Sequence, residues 1–224
     1  MSSPPKKSKA WGVAAKSEPR WPASLAVLIA AALNFALPAR YTFGPSWLEG
    51  ALVVVILIPL TLAAPRRVPN EQRWQQILAI VLIGIVNAFN VASLALLIHE
   101  LVVDSKNVTG SHLLVAALVI WVTNIIVFAL WYWEVDRGGP DGRLRESHGP
   151  PDFLFPQMIT PGCTVPEWTP SFLDYMYLAF TNATAFSPTD TFPLTPWAKT
   201  LMTGQAVISL IAIAIVISRA VNIL

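Results

Sequence analysis

Charged residues are scarce in this chain. Only 12% of its 224 residues are Asp, Glu, Lys or Arg, whereas an ordinary soluble domain carries about 25%. Because so few charges cannot cover the surface of a globule of this size in water, the composition excludes a soluble enzyme and a nucleic-acid-binding domain. The net charge of +2 adds nothing until the charges are placed along the chain.

Cysteine and glycine are also scarce. The one cysteine, Cys163, excludes a disulfide within the chain, and no set of Cys and His residues has the spacing of a zinc site. Nineteen prolines against eleven glycines exclude collagen and a flexible linker array. We expect no cofactor and no bound metal.

What the chain has instead is long apolar runs. Five stretches contain no charged residue and consist mostly of Ala, Val, Ile and Leu, namely residues 21–39, 51–65, 74–98, 113–133 and 200–218. A bilayer core about 30 Å thick needs about 20 helical residues. The last three stretches reach that length unaided, the second needs residues 46–50 as well, and the first is interrupted by Pro22, Asn34 and Pro38. The pattern predicts an all-α integral membrane protein with five transmembrane helices, although any single stretch would suit a buried soluble helix and the first also suits a signal peptide.

Tryptophans support this interpretation, because most lie at the ends of these stretches, where amphipathic rings rest at headgroup depth. Trp121 is the exception, and we expect it to pack between helices. The belt residues are Trp21, Trp47, Trp74, Trp131, Trp133 and Trp197.

Lysine and arginine predict the topology. With five spans, residues 1–20 (a basic tail that we expect to be disordered) and the second and fourth connections hold eleven Lys and Arg on one side, and only Arg40, Lys106 and Arg219 lie on the other. Cytoplasmic loops collect positive charge, so the N-terminus is expected in the cytoplasm of a plasma membrane, which we take to be bacterial.

Polar residues also occur inside the spans. Gly84, Ala88 and Ala92 form a small-residue face that favours close helix packing, and Asn87, Asn90 and Ser93 lie on an adjacent face. Thr123 and Asn124 interrupt the fourth span. The simpler interpretation is interhelical hydrogen bonding, and the alternative is that these amides line a conduction path.

One segment matches neither a loop nor a span. After a Pro- and Gly-rich connection at 134–169, a helix is expected to start either at Thr169 with Pro170 or at Ser171 with Asp174, and to end near Ala185 because of Pro188. About 14 helical residues give about 21 Å, which is too short to span a bilayer. The segment is too apolar for water, so we predict a re-entrant half-helix before the last span.

This segment also carries a family resemblance. Leu173-Asp-Tyr-Met-Tyr-Leu-Ala-Phe-Thr-Asn-Ala-Thr is followed by Asp190-Thr-Phe-Pro-Leu-Thr-Pro-Trp-Ala-Lys199 and an apolar helix ending Ile217-Ser-Arg-Ala. In this order the chain from 113 to 224 resembles the pore module of potassium channels: outer helix, pore helix, filter ending in Asp, Pro-x-Thr step, basic residue and inner helix. It is also similar, more closely, to small bacterial membrane proteins with a degenerate form of this segment.

The resemblance implies a division of the chain. Residues 21–103 would form three N-terminal transmembrane helices, and residues 112–224 a pore-module-like domain. That domain would comprise an outer helix, the connection 134–169, a re-entrant helix with a filter-like loop at 170–197, and an inner helix at 198–223. The module works as four copies, so the resemblance implies a homotetramer in the bilayer with monovalent cations as the expected permeant ions.

The filter itself departs from the family. Where potassium channels have Thr-Val-Gly-Tyr-Gly-Asp, the aligned residues are Ala185, Phe186, Ser187, Pro188, Thr189 and Asp190. Both glycines are missing and the proline fixes φ near −65°, so a ladder of carbonyls of the potassium type is not expected.

The expected pore lining is therefore simpler. It would use the partial negative charge at the end of the half-helix, the hydroxyls of Thr184, Ser187 and Thr189, and a ring of Asp190. Gln205 and Ser209 on the last helix would face a cavity, with helix–helix hydrogen bonding as their alternative role. For Asp190 the alternative is a bond that caps the loop.

The orientation of this loop conflicts with the resemblance. In potassium channels the pore loop enters from outside, whereas the charge count places residues 134–199 inside, with twelve basic residues against three. Either the pore is inverted, as in glutamate-receptor channels, or the charge count gives the wrong orientation, or one of the five stretches does not span the membrane. We favour the orientation that the charge count gives.

Three functions are considered. A cation-permeable pore with a filter unlike that of potassium channels is the leading hypothesis, and a non-conducting scaffold or accessory subunit that keeps the fold is the second. A membrane enzyme would need the cluster of His99, Glu100, Asp104 and His112, which is also the only metal-competent group, and no catalytic motif accompanies it. We therefore expect no enzymatic activity.

Overall fold

The computed structural model shows a mostly helical chain. It describes residues 18–19, 21–42, 44–45, 47–48, 50–55, 66–67, 73–103, 110–144, 149–160, 168–184 and 190–221. The predicted basic tail lies outside these residues, apart from Glu18 and Pro19. The helices are α1 (Trp21–Asn34), α2 (described at 50–55), α3 (Arg73–Val103), α4 (Gly110–Val135), α5 (Gly139–Leu144), α6 (Pro156–Ile159), α7 (Phe172–Thr184) and α8 (Pro196–Val221).

Among the residues that the structure describes, three helices are long and apolar enough to cross a membrane. They are Trp74–Val103, Gly110–Gly138 and Pro196–Ser218, which correspond to the third, fourth and fifth predicted spans. Their length follows from long runs of Ala, Val, Ile and Leu without an internal proline. The chain is thus compatible with a membrane protein, and three of the five predicted spans have the required length.

The first predicted span has a shorter helix, and the second is described only in part. Within the predicted span 21–39, α1 stops at Asn34, and a turn leads into a short 3-10 helix at Ala39–Tyr41. Pro38, which precedes this 3-10 helix, has no N–H to continue an α-helix. The second stretch is helical at 50–55, and its residues 56–65 lie outside the described part.

The core surrounds α4, which packs against α1, α3, α7 and α8. Two apolar clusters occupy its two halves. One unites α1 residues such as Val27 and Ala30 with the C-terminal half of α4, and the other unites Leu37 and Tyr41 with Leu97 and Leu113 at the opposite end. The segment from Trp21 to Tyr41 therefore runs the length of the bundle.

Two short antiparallel pairs connect distant parts of the chain. Strand β1 (Glu18–Pro19) pairs with β2 (Arg66–Arg67), so the start of the first stretch lies beside the end of the second. Strand β3 (Phe153–Leu154) pairs with β4 (Phe192–Pro193), which lies directly before α8. The Gln76 side chain of α3 donates a hydrogen bond to the carbonyl of Gly138, so α3 begins where α4 ends.

The connection at 134–169, expected to be irregular, contains regular elements. α4 continues to Val135, a 3-10 turn covers Asp136–Gly138, and α5, β3 and α6 follow. Gly139 has a φ of +84°, and a Cβ on Gly142 would overlap the carbonyl oxygen of Arg137. The prediction failed because this order depends on buried polar contacts between residues far apart in sequence, which hydropathy does not detect.

The tryptophans are only partly placed as expected. Trp21, Trp47, Trp74 and Trp197 are exposed. Trp133 is buried instead, edge-on to Phe172 of α7. Trp121 packs edge-on against Phe180 at 6.4 Å, as expected for a residue between helices.

Candidate functional site

A buried aspartate after α4 joins three parts of the chain. Asp136 Oδ1 accepts hydrogen bonds from the backbone N–H groups of Asp152 (2.8 Å) and Phe153 (3.4 Å). Its Oδ2 accepts from the Tyr175 hydroxyl at 2.6 Å and from Arg137 Nε at 3.2 Å. The carboxylate therefore ties the end of α4 to β3 and to the first turns of α7. Because Asp136 has no solvent exposure, these donors replace the water that an ionised carboxylate requires.

Two arginines complete this cluster. Arg137 has a left-handed backbone with φ +54°, which costs a non-glycine residue about 1–3 kcal/mol, and its N–H donates to Asp152 Oδ2 at 2.9 Å. Arg143 donates to the carbonyls of Trp133 (2.7 Å) and Asp136 (3.1 Å). Its guanidinium also lies 5.2 Å from the centre of the Tyr175 ring.

The environment of Tyr175 keeps its phenol protonated. Burial raises the pKa of Tyr175 well above its ordinary value, and the adjacent Asp136 carboxylate acts in the same direction, whereas Arg143 opposes the shift. Tyr175 therefore remains a hydrogen-bond donor to Asp136.

The start of α8 meets the same cluster through Asp152. Its Oδ1 accepts from the Thr195 hydroxyl at 2.7 Å, and its backbone carbonyl accepts from the Leu194 N–H at 2.8 Å. Thr195 Oγ1 in turn accepts from the N–H of Ala198 at 3.2 Å, which makes Thr195 the N-cap of α8, with Pro196 at the first helical position. The Pro-x-Thr step thus starts α8.

The far end of α7 contacts the middle of α8. The Asn182 side chain donates to the carbonyl of Met202 at 3.0 Å and to Gln205 Oε1 at 2.8 Å. Gln205 Nε2 donates to the carbonyl of Ala179 at 2.8 Å. The Tyr132 hydroxyl of α4 donates to Gln205 Oε1 at 2.5 Å. Helices α4, α7 and α8 therefore meet at one buried amide.

These contacts define the path of the chain. Tyr175 of α7 and Thr195 before α8 both belong to the Asp136–Asp152 cluster. Asn182 and Met202 lie seven residues beyond them, which is about 10 Å along a helix, and these two residues are again in contact. α7 and α8 thus run side by side in the same direction from one cluster. Since Leu194 again contacts Asp152, the chain returns after α7 to the end at which α7 began.

The predicted lining residues fall into two groups. Thr184 is exposed at the end of α7, and its hydroxyl donates to the carbonyl of Phe180 at 2.9 Å. Asp190 is exposed and accepts a bond from the Thr191 hydroxyl at 3.4 Å. The remaining filter-like residues, Ala185, Phe186, Ser187, Pro188 and Thr189, lie outside the described residues.

Gln205 and Ser209, which were expected to face a cavity, lie inside the bundle. Gln205 has no solvent exposure and Ser209 is almost fully buried. Asn124 Nδ2 donates to Ser209 Oγ at 2.8 Å and to the Gln205 carbonyl at 3.2 Å. This is the helix–helix bonding that the sequence left as their alternative role. The reason is that α4 also presents polar side chains to α8, so Asn124 bonds to Ser209 and Tyr132 bonds to Gln205.

The surfaces of α7 and α8 that remain uncovered are mostly apolar. Tyr177 and Phe180 are exposed on α7, in line with Leu173 and Thr184. On α8, exposed Trp197, Thr200 and Thr203 lie in the first turns, and the large side chains exposed further along the span are Val207, Leu210 and Ile217. Of the three long apolar helices, α8 is the least covered and α4 the most.

The metal-competent cluster is not assembled in the part of the chain that the structure describes. His99 and His112 are exposed at helix ends, Asp104 lies outside the described residues, and no group of three or more metal-ligating side chains occurs among those residues.

Sequence reasoning missed the residues that hold α7. Asp136, Asp152 and Tyr175 at one end, and Tyr132 and Asn182 at the other, were not singled out. The available signal was the presence of Asp, Tyr and Asn beside apolar runs, where burial without a partner would be costly.

No protein-family model, no curated protein and no solved structure matches the chain.

Proposed function

We propose that this chain forms a homotetrameric pore for monovalent cations, in which the C-terminal ends of four α7 helices point towards a common axis. One observation carries the proposal: α7 runs beside the first half of α8 from the Asp136–Asp152 cluster, and the chain is back at that cluster by Leu194. A short helix followed by a return to the same end is the arrangement of a re-entrant pore loop.

Membrane physics supports a multimer. The 13 residues of α7 are about 20 Å long, which is too short to cross a bilayer. A helix end at membrane depth leaves carbonyl groups that lipid cannot satisfy, so irregular backbone at that depth must be buried in protein or line a water-filled cavity. Neighbouring copies would cover the exposed faces of α7 and α8 and enclose such a cavity.

The proposal includes five membrane crossings. The segment from Trp21 to Tyr41 runs between the two ends of the bundle, and β1 pairs with β2 at the two ends of the first pair of stretches. Both facts favour a hairpin of two crossings before α3. The N-terminus and the Asp136–Asp152 cluster then lie on the same side.

The proposed ion site has fewer defined ligands than the filter of potassium channels. The C-terminal end of a helix carries about half a negative charge, and four such ends would favour a cation. Exposed Asp190 adds an acidic group, and the hydroxyl of Thr184 adds oxygen. Gln205 and Ser209 are excluded from the lining because they are buried between helices. Potassium selectivity is not proposed.

A second candidate, a non-conducting scaffold, is favoured by the chemistry of α8. Its polar side chains Gln205 and Ser209 are used within the chain, and from residue 204 to Ile217 its exposed side chains, which include Val207 and Leu210, are apolar. A wide conduction path lined only by such residues would resist wetting.

Reconstituted liposomes test the two candidates against each other. We expect the wild-type protein to pass monovalent cations above the rate of empty vesicles, and Asp190→Asn to reduce conductance or alter selectivity. Glu100→Gln, at the end of α3 and away from α7, is the matched control and should leave flux unchanged. A mass measurement of the detergent-solubilised complex should give four copies.

Flux equal to that of empty vesicles, for several cations and both polarities, would favour the scaffold. A monomeric mass would contradict the pore, because one copy supplies only a quarter of it.

A further inference from the structure

Gln205 of α8 occupies the point at which α4, α7 and α8 meet, and its side chain bonds to both of the other helices. Its Oε1 accepts from Tyr132 (2.5 Å) and Asn182 (2.8 Å), so both lone pairs are used, and its Nε2 donates to the carbonyl of Ala179 (2.8 Å). Two of these three partners belong to the last two turns of α7. The amide is fully buried, so water cannot replace a lost partner.

The direction of these bonds restricts how α7 can move. The bond to the Ala179 carbonyl fixes the height of α7 along α8, and the bond from Asn182, three residues further on, fixes its rotation about its own axis. Asn182 also bonds to Met202, one turn before Gln205. A shift of α7 by one residue would break all of these bonds together.

A neighbouring pair provides a natural comparison. Ser209 lies one turn after Gln205 on α8, is almost fully buried, and accepts a bond from Asn124 of α4 at 2.8 Å. The Asn124–Ser209 bond links α4 to α8 without touching α7. It therefore shares the depth and burial of the Gln205 bonds but not their connection to α7.

We propose that Gln205 is a positioning residue, which together with Tyr132 and Asn182 sets the height and rotation of the end of α7 at Thr184. An effect of Gln205 on ion selectivity rests on the pore function proposed above. An effect of Gln205 on the position of α7 does not, because the position of Thr184 is measurable whether or not ions pass.

The experiment places a reporter at Thr184, which is exposed. The only native cysteine is first replaced as Cys163→Ser, and Thr184→Cys then introduces a single thiol. The rate of its reaction with a water-soluble methanethiosulfonate is measured in the full-length protein. We expect Gln205→Met, which keeps the shape but loses the amide, to change this rate at least about fivefold, the equivalent of one net hydrogen bond.

Two further variants make the result specific. Tyr132→Phe removes one hydroxyl, which donates to Gln205 and also accepts from Asn182 at 3.3 Å, and serves where Gln205→Met does not fold. We expect a change of about twofold, since Asn182 still bonds to Gln205. Ser209→Ala removes the comparison bond and should leave the labelling rate within experimental scatter. Equal rates in all variants, or an equal change in Ser209→Ala and Gln205→Met, would overturn the inference.

Ion flux into liposomes tests the functional effect, in proteins that keep the native Thr184. If the wild type conducts, Gln205→Met should change the ratio of sodium to potassium permeability, whereas Ser209→Ala should not. An unchanged ratio in a conducting Gln205→Met protein would refute the effect on selectivity. If the wild type passes no ions, the pore proposal fails, and the labelling rates still decide whether Gln205 positions α7.

Discussion

Tyr175 tests the buried cluster at the scale of a single residue. Its hydroxyl donates to the Asp136 carboxylate at 2.6 Å, and the side chain has no solvent exposure. Removal of a hydrogen bond to a charged group costs about 1.5–3 kcal/mol. We expect Tyr175→Phe to lower the free energy of unfolding by that amount, measured as a drop of several degrees in the Tm of the detergent-solubilised protein at pH 7. Tyr177→Phe, on the exposed face of α7, is the control and should leave Tm unchanged.

The same tyrosine predicts a loss of stability at alkaline pH. Burial raises the pKa of Tyr175 above its ordinary value, so the unfolded chain loses this proton near pH 10 while the folded chain retains it. The stabilisation is therefore complete below pH 10 and decreases as pH rises above 10. We expect the Tm of the wild type to fall more between pH 9 and pH 11 than that of Tyr175→Phe. Equal slopes would show that the folded pKa of Tyr175 is not raised.

Residue patterns predicted local structure better than distant contacts. The capping box of Ser171 and Asp174 is present, with the Asp174 carboxylate accepting from the Ser171 N–H at 2.7 Å, and α7 ends at Thr184, one residue before the expected end. The Asp136–Tyr175 bond joins residues 39 apart in sequence. A capping box is visible in sequence because its partners are three residues apart, whereas the partner of a buried Asp depends on the fold.

Two glycines offer a comparison at the scale of secondary-structure elements. A Cβ on Gly84, inside α3, would meet no atom within 4 Å, so the predicted close packing of its small-residue face is not used within the described residues. Gly84→Ala should therefore raise stability by about 0.5–1 kcal/mol through helix propensity. Gly142→Ala, in α5, should lower it by about 1–3 kcal/mol, because the added Cβ would overlap the carbonyl of Arg137 in the preceding 3-10 turn. Urea or thermal unfolding of both variants checks the opposite signs, and equal effects would contradict the packing described.

Element lengths were predictable where hydropathy alone determines them. The third, fourth and fifth apolar stretches are the three helices long enough to span. Helix α8 begins at Pro196, two residues before the start expected for an inner helix, because Thr195 caps it. Helix α4 extends to Val135, two residues beyond the predicted stretch at 113–133, and the charged residues Glu134 and Asp136 at its end are buried. Hydropathy marks charged residues as a helix end, and here the charges are paired inside the protein.

At the scale of the whole molecule, short contacts join the predicted connections in pairs. Gln76 contacts Gly138, so α3 starts beside the end of α4, and β1 pairs with the Arg66–Arg67 strand. Arg137 and Arg143 are buried and bonded within the protein. Without these two, the proposed topology leaves ten basic residues on the side of the cluster against three on the other, and this excess predicts a cytoplasmic cluster.

Under the proposed function, this excess predicts the orientation of α7 in the membrane. α7 and α8 both start at the Asp136–Asp152 cluster, so a cytoplasmic cluster means that α7 enters the membrane from the cytoplasm, opposite to potassium channels. In a Cys163→Ser background, exposed Gly149 beside the cluster and exposed Ser111 at the start of α4 are replaced singly by cysteine. We expect a membrane-impermeant maleimide to label Ser111→Cys in intact cells and Gly149→Cys only in inverted vesicles. The reverse result would mean that α7 enters the membrane from outside. The charge count would then give the wrong orientation, because Arg137 and Arg143 are paired inside the protein and the basic tail does not lie at the membrane.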